Sequence, residues 1–388
     1  MSPDIFPGRL GLQQRVLPEY RVQFMDALAE SCQRGLGVFA GLPQIDENIA
    51  TSHQFERAAY FPARNRHFSS PASPFYFCWQ SGVLDWLESW QPDALIVEAN
   101  SRYLATPRAI TWMHNRSRPV LGWGLGAPSI AGVLAGWRQR SRLNFLLSLD
   151  GVIAYSEQGA TEYATLGISP QRIFVATNAV TPPPSWPMPV RQPAFVGKPM
   201  VLFVGRLQNR KRVDNLLSAC AALPESLQPE LNVVGDGPAR QALEELAQRV
   251  YPRTVFPGAC HGAELQAYFE AADLFVLPGT GGLAIQQAMS YGLPVIVAQG
   301  DGTQNDLVRP GNGWAIPPGD LRALRQAIEY ALADPARLRR MGAESYRIVV
   351  EEINIDKMVS TFIHALQTVT KLPRCACFSS PMGDPRLH

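Results

Sequence analysis

The chain alternates short apolar runs, typical of buried strands, with segments whose apolar residues recur at helical spacing. Examples of the apolar runs are RLGLQQ (9–14), GLGVFAG (35–41) and PDALIVEAN (92–100), and a helical pattern follows the first of them at 22–32. The same alternation resumes at residue 200 and continues to about 350. Such alternation predicts an α/β protein with parallel sheets joined by crossover helices.

A proline-rich stretch divides the two blocks. The sequence NAVTPPPSWPMPVRQPAFVGKP (178–199) contains seven prolines, and it can sustain neither a helix nor a central strand. We expect a last helix to pack back on the first domain and the final residues to form a disordered tail. The expected segments are a first domain over 1–180, a linker over 181–199, a second domain over 200–350, the last helix over 351–370 and the tail over 371–388.

Composition narrows the class of protein. A length of 388 residues favours two domains, and a formal charge of +2 argues against a nucleic-acid partner. No uninterrupted apolar run reaches about 18 residues, so no membrane-spanning helix is expected, and the start lacks the features of a secretory signal. Six scattered cysteines without a CxxC pair are typical of reduced thiols. These features predict a cytoplasmic protein.

Glycines follow the strands of the second block at four places. In an open parallel sheet, ligands bind beyond the carboxyl ends of the strands, and glycine lets the backbone approach them. The alternative is a set of tight turns, but four clusters on one predicted edge favour a ligand site. The clusters are Gly205, then Gly235 with Gly237, then Gly258, and finally Gly279 with Gly281 and Gly282.

Basic residues stand at the first of these places. Arg206 directly follows a predicted strand, and Lys211 begins the next helix. Two cations at the carboxyl end of a strand suit a diphosphate, whose charge grows as it leaves. A solvated basic turn is the alternative, because Arg210 and Arg212 crowd the same stretch.

The motifs taken together resemble a known family. VLFVGRLQNRKRVDNLL, VVGDGP, AADLFVLP, GGLAIQQAMSYGLPVI and GNGWAIPPGD stand in the order found in retaining family 4 glycosyltransferases, and the resemblance runs from about residue 9 to about residue 370. It implies a GT-B fold, in which two Rossmann-like domains face a central cleft. It also implies a nucleotide diphosphate sugar as substrate and no cofactor. GDGP is not the Asp-x-Asp pair of metal-dependent sugar transferases, so a metal-independent reaction is expected.

The resemblance assigns roles to donor-side residues. Arg206 and Lys211 match the basic pair that grips the donor diphosphate, and Gly281, Gly282 and Leu283 match the backbone that approaches sugar and phosphates. Gln287 and Gly279 fall where the family commonly has two glutamates, one at the ribose and one near the donor sugar. This departure leaves catalytic competence open, although a glutamine can still hydrogen-bond a ribose.

The first block is expected to bind the acceptor, a glycan, a lipid-linked molecule or a small molecule. The predicted acceptor-side residues follow strands of this block, with locally packed loop residues as the alternative. They are Arg15, Glu19, Tyr20, Arg21, Glu98 and Gly124. The basic, apolar segment 135–149 could dock on the inner face of an anionic membrane, or be a core helix with one solvated basic end.

The residues and motifs of the sequence leave three possible functions. The leading one is transfer of a sugar from a nucleotide diphosphate sugar to a hydroxyl group, with retention of configuration. The second is a non-catalytic nucleotide-sugar-binding or scaffold subunit of a glycosyltransferase complex, favoured by the absence of both glutamates. The third is a GT-B epimerase, which would need acidic cleft residues that the sequence does not assign.

Overall fold

The computed structural model describes residues 5–371, except 48, 71, 72, 74, 131, 133 and 301. The chain divides into two compact units. The first comprises Met1–Tyr155, Gly159–Ala176 and Val359–His388, and the second comprises Ser156–Gln158 and Thr177–Met358. These bounds differ from the expected 1–180 and 200–350, and the expected tail lies outside the described residues from 372 onward.

A parallel sheet forms the centre of the first unit. Its strand order is β3-β2-β1-β6-β7-β8-β9, and every pairing in it is parallel. An antiparallel pair, β4 and β5, stands apart from this sheet. The strands are β1 (Leu10–Val16), β2 (Leu36–Gly41), β3 (Ala59–Pro62), β4 (Arg64–Phe68), β5 (Phe77–Ser81), β6 (Ala94–Glu98), β7 (Val120–Gly124), β8 (Gly151–Ala154) and β9 (Ile173–Val175).

Helices connect these strands as the apolar periodicity predicts. They are α1 (Val22–Glu30), α2 (Val83–Trp90), α3 (Thr106–His114), α4 (Ala135–Leu147) and α5 (Glu157–Thr165). The middle strands of the sheet are buried on both faces, as in β2 and β8, where every residue is buried. Such strands read as continuous apolar runs because helices cover both faces of a parallel sheet.

The second unit repeats the architecture with a sheet of order β12-β11-β10-β13-β14-β15, again with parallel pairing throughout. Its strands are β10 (Met200–Val204), β11 (Glu230–Val234), β12 (Thr254–Gly258), β13 (Leu274–Leu277), β14 (Val295–Ala298) and β15 (Gly313–Ile316). Its helices are α6 (Val213–Ala221), α7 (Arg240–Val250), α8 (Gly262–Ala271), α9 (Leu283–Ser290), α10 (Thr303–Leu307), α11 (Leu321–Leu332) and α12 (Pro335–Glu351). Asp320 and Asp334 cap α11 and α12 by accepting hydrogen bonds from backbone N–H groups.

The last helix, α13 (Ile355–Lys371), belongs to both units, since its residues from Val359 onward group with the first. Within that first unit, Phe362 packs edge-on against Trp123 and Phe24, with ring centroids 5.1 and 5.0 Å apart. None of the described helices is long and apolar enough to cross a membrane.

The proline-rich segment 181–199 groups with the second unit and packs against it. The guanidinium of Arg191 donates hydrogen bonds to the carbonyl oxygens of Phe269, Ala272 and Tyr291 at 2.8–2.9 Å. Trp186 stacks on Tyr291 at 5.1 Å. This segment lacks regular secondary structure but is held against the second unit, because the half-buried Arg191 satisfies several of that unit's carbonyl groups.

Candidate functional site

The four glycine clusters lie together at one edge of the second sheet. They follow β10, β11, β12 and β13, which are consecutive neighbours in the order β12-β11-β10-β13. The clusters also contact one another, since the Gly235 N–H donates to the Gly258 carbonyl at 2.7 Å and the Gly205 N–H to the Val234 carbonyl at 3.0 Å. A Cβ on Gly235 would overlap the carbonyl of Gly205. Backbone rather than side chains thus lines the edge where ligands bind in open α/β sheets.

Two of the four basic residues after β10 are already engaged. Arg210 donates to the Gln208 side-chain oxygen at 2.9 Å and to the Thr280 hydroxyl at 3.3 Å. Arg212 forms an ion pair with Asp214 at 3.1 Å. These two arginines shape the loop, and their presence is explained without a ligand.

The other two, Arg206 and Lys211, make no side-chain hydrogen bond or ion pair within the described residues. Arg206 is exposed, whereas Lys211 is half-buried. Burial, and then the nearby charge of Arg210, lower the pKa of Lys211 to about 8. A partly buried ammonium without an anion is unfavourable by itself, so its surroundings suit a bound anion.

The Lys211 ammonium lies directly over the glycine-rich turn that precedes α9. A Cβ on Gly281 would overlap its Nζ, and Gly281 has a φ of 119°, which favours glycine. The turn is fixed to the loop after β10, because the Thr280 N–H donates to the Arg210 carbonyl at 3.1 Å. The lysine and the glycine-rich turn are therefore held next to each other by backbone contact.

The close contact between this turn and the loop after β10 requires glycine at position 279. A Cβ at this position would overlap the Arg210 carbonyl and the Lys211 backbone. A glutamate side chain, which the resemblance places here in other family members, has no room in this arrangement. Glycine, rather than glutamate, thus fits at position 279 because the basic loop lies so close to it.

The two glutamines of α9 have different environments. Gln286 is 1% exposed, accepts from the Val180 N–H and donates to the Ile353 carbonyl, both at 2.7 Å, so it is structural. Gln287 is half-buried, and its side chain makes no hydrogen bond with a described residue. Leu283 is 43% exposed at the start of the helix. Gly282 has a φ of −149°, and a Cβ there would meet only the Gln304 amide nitrogen, at 3.9 Å.

Gln304, on α10, is a residue that sequence reasoning missed. It is 4% exposed, and its Nε2 donates to the Gly281 carbonyl at 3.4 Å. Its Oε1 is buried without a hydrogen-bond donor in the described part of the chain, and such an atom is costly unless it gains a partner. The signal in the sequence was a further glycine-rich strand end, AQGDG, after β14.

The first unit contains a cavity of about 710 Å³ at the carboxyl ends of β6 and β7. Of the predicted acceptor-side residues, Glu98 and Gly124 line it. Glu98 accepts a hydrogen bond from the Arg15 N–H at 2.6 Å, and burial raises the pKa of this carboxyl group. Trp123 and Tyr155 form its inner wall.

The remaining predicted residues of this group lie outside the lining. The Arg15 guanidinium pairs with Glu47 at 2.7 Å. Arg21 is buried and lies over the ring of Trp123, 4.6 Å from its centroid, so it supports the wall from behind. Glu19 and Tyr20 are exposed on the loop after β1.

The segment 135–149 has three buried residues, and the others are exposed or half-buried. In α4, Phe145 and Leu146 are the buried residues, whereas Trp137 is 62% exposed. Trp137 lies beside the cavity together with Arg138 and Arg142. The helix is therefore buried at its carboxyl-terminal end and exposed or half-buried over its basic amino-terminal and central turns, which both expected alternatives allow.

Comparison with known proteins agrees with the geometry of the second unit. Residues 187–348 match the family described as glycosyl transferases group 1. A GDP-mannose-dependent alpha-mannosyltransferase of Mycolicibacterium smegmatis is 36% identical over 170 residues, which is 40% of this chain and 42% of that protein. Sulfoquinovosyl transferase SQD2 of Arabidopsis thaliana is 35% identical over 130 residues, 32% of this chain and 24% of the relative. The chain thus spans less than half the length of these relatives.

Solved structures share the fold of nearly the whole chain. The structure of Anabaena HepE in complex with UDP has a TM-score of 0.67 and 16% identity, covering 93% of this chain and 99% of that one. The expected fold class, two Rossmann-like parallel-sheet domains as in GT-B glycosyltransferases, is confirmed at this level.

Proposed function

We propose that this chain, which carries a glycosyl transferases group 1 domain over residues 187–348, transfers a sugar from a nucleotide diphosphate sugar to a hydroxyl acceptor. The observation that carries the proposal is the pair of cations beside the glycine turn. Arg206 and Lys211 have no anionic partner in the described residues, while the neighbouring Arg210 and Arg212 do have polar partners. Names of similar proteins, which include UDP and GDP-mannose, support a nucleoside diphosphate as the missing anion.

In this proposal the protein acts by positioning and by charge stabilisation. The cations neutralise the diphosphate as its bond to the sugar breaks, and the backbone of Gly281 and Gly282 holds the phosphates and the sugar. Gln287 hydrogen-bonds the ribose. The hydroxyl attacks from the face that the diphosphate leaves, and the donor phosphate takes its proton, which retains the configuration. No step requires a side-chain nucleophile.

Binding of nucleotides tests the donor site. We expect UDP or GDP to bind the native protein, and Arg206→Ala or Lys211→Ala to weaken binding by about ten- to a hundredfold, because a charge-assisted contact contributes about 1.5–3 kcal/mol. Arg210→Ala is the matched control from the same loop and should retain affinity within a few-fold. Equal affinities in all four proteins, measured by calorimetry, would contradict the donor site.

The transfer itself needs a separate experiment. Incubation with a nucleotide sugar should release nucleoside diphosphate in an acceptor-dependent manner, and the new linkage should show by NMR the anomeric configuration of the donor. We propose a metal-independent reaction, because Arg206 and Lys211 are proposed to carry the charge of the diphosphate. The reaction should keep its rate in EDTA; loss on chelation and recovery with manganese would contradict this.

The second candidate is a non-catalytic nucleotide-sugar-binding subunit. It is favoured by Gly279, where the basic loop leaves no space for a carboxylate, and by the uncharged Gln287. Nucleotide binding that depends on Arg206, together with no release of nucleoside diphosphate under any acceptor condition, would support it over the transferase.

The proposed acceptor site is the cavity of the first unit, and α4 adds a surface for peripheral contact with an anionic membrane. Trp137 and Leu147 of this helix are 62% and 51% exposed, and the basic Arg138 follows Trp137 in the chain. An exposed helix with basic and aromatic residues suits the interface of a membrane. This would place the reaction at the inner face of the membrane.

A further inference from the structure

The cavity of the first unit is strongly basic. Its lining takes Arg102 from the loop after β6 and Arg138 with Arg142 from successive turns of α4. The only carboxylate among the described lining residues is Glu98, and this group already accepts a hydrogen bond from the backbone of Arg15. The three arginines therefore present an excess of positive charge to whatever occupies the cavity.

None of these arginines forms an ion pair within the described residues, and the contacts that two of them make are to neutral groups. The Arg142 Nη1 donates to the Pro128 carbonyl at 2.6 Å. Arg102 Nε donates to the Asn100 side-chain oxygen at 3.4 Å. Burial, and then the charges of Arg138 and Arg102, lower the pKa of Arg142, while the nearby Glu162 acts in the opposite sense and does not cancel them. A cluster of like charges with few counter-charges is relieved when an anion binds.

The cavity also has an apolar part with an exposed rim. Phe75, Leu125, Leu134 and Trp137 line it and are 63%, 47%, 46% and 62% exposed, respectively. Large apolar side chains that converge at the opening of a pocket are a common feature of sites for apolar groups. Charge and apolar surface thus meet in one cavity of about 710 Å³.

We infer that this cavity binds an anionic amphiphile, with a phosphate group at Arg102, Arg138 and Arg142 and an apolar chain against Phe75, Leu134 and Trp137. Guanidinium groups suit phosphate because their planar N–H fork matches its oxygens. That the amphiphile is the sugar acceptor, a phosphate-bearing lipid with a free hydroxyl group, rests on the proposed function. The binding site itself does not.

The experiment is calorimetry of the whole protein with dodecyl phosphate, kept below its micelle concentration. Glycerol 3-phosphate supplies the anion without the chain, dodecyl maltoside the chain without the anion, and dodecanoate a carboxylate in place of phosphate. We expect dodecyl phosphate to bind at least tenfold more tightly than each of the other three. If dodecyl maltoside binds as tightly, the site does not require an anion. If glycerol 3-phosphate binds as tightly, it does not require an apolar chain. If dodecanoate binds as tightly, it does not prefer phosphate to carboxylate; each of these results would overturn the inference.

Variants locate the site. Arg142→Gln and Arg138→Gln should each weaken dodecyl phosphate binding tenfold or more, while Arg140→Gln, an exposed neighbour outside the lining, should not. Trp137→Ala should weaken dodecyl phosphate but leave glycerol 3-phosphate unchanged. A loss with Arg140→Gln as large as with Arg142→Gln would overturn the assignment. Melting temperatures identify any variant that fails to fold, and the second arginine variant then decides.

The two proposals fail in distinguishable ways. Arg206→Ala should leave dodecyl phosphate binding intact, because Arg206 belongs to the second unit. If dodecyl phosphate binds as expected but no nucleotide does, the cavity assignment stands and the transferase fails. If UDP binds and dodecyl phosphate does not, the donor site stands and the inference about the cavity is overturned.

Discussion

Lys211 shows how a single side chain can indicate a ligand. Its ammonium lies against Gly281 and is half-buried without a counter-ion in the described residues. Because burial disfavours the charged form, its pKa falls to about 8. The folded state therefore binds fewer protons than the unfolded state between about pH 8 and the usual lysine value of about 10.4, and stability should rise with pH across that window. A structural lysine would gain nothing from such a position.

Nucleotide affinity should consequently depend on pH through Lys211. The terminal phosphate of a nucleoside diphosphate has a pKa of about 6 and is ionised from pH 7 upward, so its charge stays constant there. We expect affinity for UDP to fall about tenfold between pH 7 and pH 9.5, as the free ammonium deprotonates above about 8. Lys211→Arg keeps its charge and should flatten the profile in calorimetric titrations. The same slope in both proteins would mean that another group controls binding.

Gln286 and Gln287, which are adjacent in α9, allow a structural role and a ligand-binding role to be compared directly. Gln286→Ala leaves the Val180 N–H and the Ile353 carbonyl without their partner, which costs about 1–3 kcal/mol of folding free energy. It should lower the melting temperature without changing nucleotide selectivity. Gln287→Ala should do the reverse: weaken ribose nucleotides more than deoxyribose nucleotides at an unchanged melting temperature. Gln287→Glu should keep or improve nucleotide binding.

These outcomes are measured by thermal denaturation and by calorimetry on the same preparations. The assignment of Gln287 to the ribose would be wrong if Gln287→Ala discriminated no better between the two sugars than Gln286→Ala does.

At the scale of elements, the loop after β10 and the turn before α9 pack closely against each other. The loop's backbone occupies the space beside Gly279, and its lysine occupies the space above Gly281. Gly282, by contrast, has a negative φ of −149° and open space around it. Glycine at position 279 is thus explained by the packing of the loop, whereas the open space at Gly282 requires another explanation, which we propose is room for the donor.

Alanine at each position separates these reasons. Gly279→Ala should destabilise the protein by about 1–3 kcal/mol, because forced overlap shifts packed backbone. Gly282→Ala should leave the melting temperature nearly unchanged and weaken UDP-sugar binding at least tenfold, since the new Cβ lies where the donor approaches. A Gly282→Ala protein with native affinity would show that the donor does not contact this turn.

The elements that sequence predicted well are those that local pattern determines. Buried parallel strands are largely apolar, and glycines mark the carboxyl ends of β10 to β13, so the sequence alone predicts that these glycines meet at one edge of the sheet. Which cations of GRLQNRKR (205–212) are already paired could not be predicted, because Arg210 meets Gln208 and Arg212 meets Asp214 only in the folded loop. The contacts of Arg191 and the burial of Gln304 likewise depend on residues far away in the chain.

At the scale of the whole molecule, each unit has its own set of ligand-facing groups. The proposed donor-side residues, from Gly205 to Gln304, all belong to the second unit, whereas the basic cavity belongs to the first. The affinity for each ligand should therefore depend on side chains of only one unit. Transfer needs both ligands, and so it should respond to changes in either unit.

Two variants test this division. Arg206→Ala should weaken UDP about tenfold or more and leave dodecyl phosphate within about twofold, and Arg142→Gln should give the opposite result, because changes at sites with no shared partner act independently. The double variant should bind UDP as weakly as Arg206→Ala does and dodecyl phosphate as weakly as Arg142→Gln does. In a transfer assay, the first change should raise the KM for the nucleotide sugar and the second the KM for the acceptor. A loss of UDP affinity in Arg142→Gln as large as in Arg206→Ala would mean that both arginines serve one ligand, and the division between donor and acceptor units would fail.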